Sequence, residues 1–519
     1  MDEQWEIHKA ARLARGGMVA TQHVAAATAG AEALAAGGNA VDAAVVTALV
    51  ASVVEPWMCG LGGNGYLLYC SADGQTVEVI NFQGVVPAHI DLRAYPQVAG
   101  PPSLMGFPPV AGRHNEVGYG AISVPGACAG LSMALERLGR FGFDRALTWA
   151  IDHARRGLVV DWHTTLQIAL AFDDLAKDPG AAAQYLPQGH PPEPETRLEN
   201  RALVATLETL ADRGPEAFYR GKVAQQLVED LAAGGSAIDG DDLAAYGPQV
   251  TTPLTGTYRG IGLWGGDATS GAQRLLEALA HCEDHFTPGQ APDAEAYTAY
   301  ALGLQRAFIR HKQRMGAVGS LGCTSHISAV DGAGNMVALT FTLLNRFGSR
   351  VVLPRTGLVM NNALGYFDPR PGLPASLMGN KRINASNMCP TIAVAQGRPW
   401  FALGASGANT IVPAVTQLAA LLVDFGLDLE AAFHVPRLQV SDGEALVADA
   451  RLPIEVMDAL ARHFTVSRAQ AAVFPKPFAC PSGVWRDPVT GLWGGMADPT
   501  LPTGGARGVE EMAPRGVGR

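Results

Sequence analysis

The stretch "GCTSHISAVDGAGNMVALTFTLLNRFGS", Gly322–Ser349, decides the fold. His326–Val330 and Met336–Phe341 are rich in β-branched and apolar residues, and Asp331-Gly-Ala-Gly-Asn335 between them is a turn, so the stretch reads as a β-hairpin. With the turn centred on Ala333, Thr324 and Thr342 lie nine residues either side of it. An unbulged antiparallel register sets them directly opposite on one face. Paired threonines are ordinary in strands, so the hairpin alone does not establish a catalytic site.

Outward from the hairpin, no linker or low-complexity tract divides the 519 residues. Hydrophobic residues make up 48% and charged residues 17%, which describes a well-buried globular chain. The formal charge is −10 without a basic run, which argues against a nucleic-acid partner. The longest apolar run, Ala43–Val54, is too short to span a bilayer and reads as a buried helix, so no membrane partner is expected. The opening "MDEQWEIHKAARLARGG" has no secretory signal pattern. The seven cysteines (Cys59, Cys70, Cys128, Cys282, Cys323, Cys389 and Cys480) show no paired spacing, so reduced thiols and a cytoplasmic location are expected.

Residues Val19–Ala51 read as two helices broken by "AGGN", and Gly65–Tyr69 and Val77–Phe82 as strands. Residues 127–310 are mainly helical by spacing. After Thr324 strands are expected at 324–330, 336–343, 350–353 and 391–395, and helices at Val412–Phe425 and Ile454–His463.

The hairpin and six further segments resemble the γ-glutamyltransferase family of N-terminal-nucleophile hydrolases. These are Gly37–Leu68 ("GGNAVDAAVVTALVASVVEPWMCGLGGNGYLL"), Val124–Leu135 ("VPGACAGLSMAL"), Gly266–Ala272 ("GDATSGA"), Asn380–Val394 with "MCPTIAV", and the pair Gly404–Val415 ("GASGANTIVPAV") and Gly494–Gly508 ("GGMADPTLPTGGARG"), in family order over more than 400 residues. The resemblance implies an α/β (α+β) fold: an αββα sandwich of two stacked, mainly antiparallel sheets between helical layers. It also implies self-cleavage at the Cys323–Thr324 bond, giving chains 1–323 and 324–519 that share one core. Whether two such heterodimers pair is left open.

A Thr hydroxyl at its normal pKa needs a base. A free α-amino group, titrating near pH 8, suits that task and exists at Thr324 only after cleavage. By resemblance, Thr342 hydrogen-bonds the nucleophile, and the amides of Gly407 and Ala408 hold the oxyanion. Ser325 stands where the family usually has a second Thr, and Cys323 reads as a small buried residue without a catalytic role. His326 reads as structural.

The family's glutamate grip is altered. Gln83 replaces its Arg, Leu344 its Asn, Ala363 its Gln and Tyr366 its Asp, while Ser386 remains and Asn387 replaces the second Ser. Each lost charge-assisted hydrogen bond is worth roughly 1.5–3 kcal/mol. By strand parity Leu344 and Arg346 face the substrate with Thr342, and Asn345 faces away; a one-residue shift of the alignment would let Asn345 or Arg346 recover a contact. Arg346 is the candidate for binding an anion. The expected function is a self-processing N-terminal-threonine amidohydrolase (an acylase-type enzyme) for a small-molecule amide that is not a standard γ-glutamyl compound. This profile is similar to oxamate amidohydrolases and cephalosporin-type acylases. The alternatives are a divergent γ-glutamyltransferase and an unprocessed, non-catalytic homologue.

No cofactor or metal is expected. "GLGGNG" (Gly60–Gly65) lacks the Lys-Ser/Thr of a phosphate loop, and "HCEDH" (His281–His285) lacks a convincing third ligand.

Overall fold

The computed structural model describes residues 7–103, 105–316 and 323–512. Its centre is a pair of seven-stranded sheets, antiparallel throughout. Their strands in chain order are β1 (Arg12–Ala14), β2 (Gly17–Thr21), β3 (Asn64–Cys70), β4 (Val77–Phe82), β5 (Gln249–Thr251), β6 (Thr255–Tyr258), β7 (Ile261–Gly265), β8 (Cys323–Asp331), β9 (Met336–Leu344), β10 (Thr391–Ala395), β11 (Arg398–Ser406), β12 (Cys480–Arg486), β13 (Trp493–Ala497) and β14 (Gly505–Gly508). The first sheet runs β14-β2-β8-β9-β3-β4-β5 and the second β1-β13-β12-β11-β10-β7-β6. Each sheet therefore draws strands from both sides of residue 324.

Three helices cover the outer face of the first sheet, α1 (Val24–Ala35), α2 (Ala40–Val54) and α3 (Ala127–Leu138), and α4 (Phe143–Arg156) packs on α2. Two cover the second, α5 (Ala272–His285) and α7 (Ile411–Phe425), and α6 (Ala294–Met315) packs on α5. Between the sheets lies a third apolar layer that includes Met18, Tyr66, Leu68, Ala338, Ile392, Ala402 and Val484. This is the expected αββα sandwich. Helix α2 is buried on all sides except at Ser52, which explains why its sequence carries no polar stripe.

Several local expectations are corrected. Residues 19–21 belong to β2, not to a helix, because β2 pairs with β8. The mainly helical region contains β5, β6 and β7, short strands that edge both sheets. Residues 350–353 form no strand: Arg350 has φ of 65°, Pro354 follows, and Val352 makes one isolated bridge to Val359. Strands β11, β12 and β13 went unread in the sequence; β12 and β13 are short and carry internal glycines, so they show little β-branched alternation.

The sheets are in tight contact where Gly404 of β11 meets His326 of β8, and a Cβ on Gly404 would lie 2.2 Å from the imidazole. Both ring nitrogens are hydrogen-bonded, so the ring cannot retreat. Gly404→Ala is expected to destabilise the fold by about 1–3 kcal/mol through overpacking, seen as a lowered thermal midpoint; an unchanged midpoint would contradict this packing.

Candidate active site

The hairpin pairs Ser325 with Phe341 through to Val330 with Met336, the register centred on Ala333. It slips between Cys323 and Ser325, where Cys323 pairs with Leu344. The extra residue lies in β9, where Thr342 and Leu343 together face the single Thr324, so the direct opposition to Thr342 expected from an even register is broken there. Bulges re-aim single side chains at such ends. Both threonines are buried, and Thr342 Oγ1 accepts the Leu344 amide at 2.8 Å. The Cys323 side chain and residues 317–322, which precede the expected cleavage point, lie outside the described residues.

Helix α2 holds this hairpin at both ends. At the turn, Asp331 Oδ1 accepts the amides of Ala333, Gly334 and Asn335, and Asp331 Oδ2 accepts the Ala40 amide at the helix N-terminus. At the far end Ser325 Oγ donates to Glu55 Oε1 at 2.6 Å, one residue beyond the helix. Fifteen helical residues span ~22 Å, and the strand from Ser325 to Asp331 spans ~20 Å. Strut and strand match in length. Burial pushes the Glu55 carboxyl up to about 8, with the Ser325 hydrogen bond opposing the shift.

Ser325 points to the helical layer, so its neighbours Thr324 and His326 point between the sheets. Ser328 Oγ donates to Ala402 O, so it accepts from His326 Nε2–H at 3.0 Å, and His326 Nδ1 accepts from the Thr340 hydroxyl at 2.7 Å. Burial lowers the imidazole to about 3. A neutral ring locked by two hydroxyls is structural, as expected. Gly63, in the glycine-rich loop, packs so tightly on this strand pair that a Cβ would lie 2.4 Å from Thr342 O.

A cavity of about 480 Å³ opens at this end of the sandwich. Glu55, Asn345, Arg346 and Gly407 line it, with Trp57, Phe474 and Phe478 as its aromatic wall and Lys476 as a second cation. Arg346 Nε donates to Gln167 Oε1 at 2.7 Å, and the Gln167 amide donates to His163 Nε2 at 2.9 Å. Burial lowers His163 to about 4, against Asp161, with Lys476 and Arg346 adding to the lowering. Gly407 (φ 133°) and Ala408 (φ 52°) turn the chain from β11 into α7, at the positive end of that helix dipole.

The strand-parity expectation for the pocket is corrected. Leu344 ends β9 with φ of 80°, so alternation stops there. Leu344 turns into an apolar cluster with Ala363, Tyr366, Tyr95 and Phe107, away from the cavity, while Asn345 and Arg346 both line it. Gln83, Tyr366, Ser386 and Asn387 do not line the cavity and are buried. Tyr366 hydrogen-bonds Ser386, and Asn387 Oδ1 accepts Arg274 Nη1 at 2.5 Å. Arg274, Glu55, His163 and Gln167 were not singled out in the sequence. Glu55 closes an apolar run before Pro56, where it reads only as a helix end. In "HCEDH", His281 Nδ1 accepts from Arg306 Nη1 at 3.0 Å, so that lone pair faces a guanidinium.

The γ-glutamyltranspeptidase family profile matches residues 26–316 and 293–507. The chain belongs to that family. Acylase ACY 1 proenzyme of Pseudomonas sp. (strain V22) is 34% identical over 483 residues, covering 86% of each chain. Glutathione hydrolase proenzyme of Escherichia coli (strain K12) is 28% identical, covering 82% of this chain and 81% of that one. The crystal structure of cephalosporin acylase from Bacillus halodurans superposes with a TM-score of 0.86 at 24% identity, covering 98% and 99% of the two chains, which shows the shared fold. Family membership supports an enzyme that hydrolyses or transfers acyl groups at amide bonds.

Glu55 gives the site a pH signature. Its folded pKa is raised, so the folded state holds a proton that the unfolded chain loses, and stability falls as pH rises from the ordinary carboxylate range to about 8. Glu55→Gln is expected to match the wild type in thermal midpoint near pH 5 and exceed it by several degrees at pH 8–9. Parallel pH curves for the two proteins would contradict this.

Proposed function

We propose that the protein is a self-processing amidohydrolase with Thr324 as its nucleophile. In the precursor the Thr324 hydroxyl attacks the Cys323 carbonyl, the peptide C–N bond breaks to leave an ester, and water hydrolyses it. The products are chains 1–323 and 324–519, the second with a free α-amino group. That amine takes the hydroxyl proton when Thr324 attacks a substrate amide carbon; the leaving amine receives the proton, and water releases the acyl group. Thr342 hydrogen-bonds the nucleophile, and the amides of Gly407 and Ala408 at the start of α7 receive the oxyanion.

The observation that carries this reading is the setting of Thr324. It is a buried hydroxyl opposite a bulge of β9, on the side of β8 that faces between the sheets, and no titratable side chain hydrogen-bonds it among the described residues. His326 is neutral and doubly bonded, and Glu55 binds Ser325 on the opposite face. An α-amino group made by cleavage supplies what is missing. The relatives named as proenzymes support processing, and the acylase among them supports an acyl group other than γ-glutamyl. Leu344, Ala363 and Tyr366 packed into an apolar cluster leave no charged grip for a zwitterionic headgroup. The substrate is then an amide with an uncharged or singly anionic acyl part, its bulk held in the cavity by aromatic rings and Arg346.

Denaturing gel electrophoresis of the purified protein tests the reading. Two bands near two-thirds and one-third of 54.2 kDa are expected, and Thr324→Ala should yield only the precursor. A wild-type band that stays at full length on incubation would favour the non-catalytic alternative.

Arg346→Ala is expected to raise KM for an anionic amide at least tenfold, ~1.4 kcal/mol or more, with self-cleavage intact. In a panel of amides a preference for the γ-glutamyl member would restore the γ-glutamyltransferase alternative.

A further inference from the structure

Two rows of side chains cross the first sheet on its inner face, over β8, β9, β3 and β4. Pairing brings His326 beside Thr340, Thr340 beside Tyr66, and Tyr66 beside Asn81. Every member of that row is hydrogen-bonded: His326 to Thr340, Tyr66 to Thr269 at 2.7 Å, and Asn81 to Asp267 at 2.7 Å. The adjacent row, one step toward the cavity end, is Thr324, Thr342, Asn64 and Gln83. Thr342 pairs with Asn64, and Gln83 follows Phe82, whose partner is Gly65.

This row is different. Asn64 and Gln83 are fully buried, yet Asn64 Nδ2, Asn64 Oδ1 and Gln83 Oε1 have no hydrogen-bond partner among the described residues. Gln83 Nε2 lies 3.8 Å from Met388 Sδ. Buried polar side chains are normally paired, and here three orphan atoms lie side by side in the nucleophile's own row.

We propose that Asn64, with Gln83, reads the far end of the acyl group that Thr324 carries, and selects an acyl chain ending in a carboxamide. This rests on the proposed acyl-Thr324 chemistry and goes beyond it by naming the acyl class. A carboxamide matches all three orphans: its oxygen accepts from Asn64 Nδ2, and its two N–H bonds donate to Asn64 Oδ1 and Gln83 Oε1. A carboxylate cannot donate to the two acceptors. Both Nη atoms of Arg274 are engaged, by Asn387 Oδ1 and the Ser386 carbonyl, and its guanidinium lies over the Phe308 ring. Strands lie about 4.8 Å apart, so Asn64 stands roughly 10 Å from Thr324 across the sheet. An acyl chain that spans this distance, with both side chains reaching inward, has about three to five carbons.

The test compares p-nitroanilides of succinamic acid, succinic acid and butanoic acid, which end in a carboxamide, a carboxylate and a methyl group. Processed wild-type protein is expected to favour the succinamoyl compound at least tenfold in kcat/KM. Asn64→Leu, which keeps side-chain volume, should lower the succinamoyl rate at least tenfold more than the butanoyl rate. Gln83→Met should shift the same ratio in the same direction, which guards against a folding defect in one variant. Self-cleavage, read on a gel for each protein, separates the two claims. Failure of the wild type to cleave at Thr324 and to turn over any anilide overturns the acyl-Thr324 chemistry. Processed wild type that favours the succinyl or butanoyl compound, or turns over none, overturns the carboxamide assignment. So does an Asn64→Leu variant that slows all three equally.

Discussion

Helix α2 and strand β8 run side by side over nearly the same length and are tied at both ends. The Asp331 carboxylate gathers the hairpin turn and reaches the Ala40 amide, while Glu55 accepts from Ser325. Because the first tie fixes the turn and the second fixes the strand start, Thr324 has little freedom to slide. The carboxylate at the second tie is deep in the protein and remains protonated to about pH 8. A neutral carboxyl costs far less to bury than a charged one, so the tie holds without a counterion. The position of Thr324 thus depends on a hydrogen bond made by its neighbour Ser325 and not by Thr324 itself.

The other face carries the consequences. Gly404 lets β11 close onto His326, and that contact sets the spacing between the sheets in which Thr324 and the Gly407–Ala408 turn lie. Around this fixed pair the substrate-reading parts have diverged in two directions. Where the γ-glutamyl headgroup would be gripped, apolar packing by Leu344 and Tyr366 now fills the wall. At the open end, Arg346 and Lys476 give a cationic, aromatic-lined cavity. On the proposed reading the same machinery is coupled to a different reader, as expected when fold and chemistry are shared but site residues are not.

Much of this was legible in the sequence because the hairpin carries its own ruler. Asp331 and Asn335 mark the turn, and counting outward from Ala333 reproduces the pairing down to Ser325. The count fails at Thr324, since a bulge has no signature in an apolar strand. Parity fails again at Leu344, where a left-handed backbone on a branched residue ends the alternation and exchanges the roles of Leu344 and Asn345. Glu55 was invisible for another reason: a single carboxylate after an apolar helix has no pattern, and only the fold brings it to Ser325. Asn64 sits within a glycine-rich run that draws the eye to its glycines, while its place at the start of β3 and its unpaired amide appear only when the sheet is assembled.

The central claim is that Thr324 becomes a free N-terminus and carries the acyl group. Mass spectrometry of the enzyme, acid-quenched during turnover of an amide substrate, tests it most directly. The account predicts a chain beginning at Thr324, with the acyl mass on the peptide that contains that residue. Acyl mass on Cys323, or turnover by a chain still intact across the 323–324 bond, would contradict it.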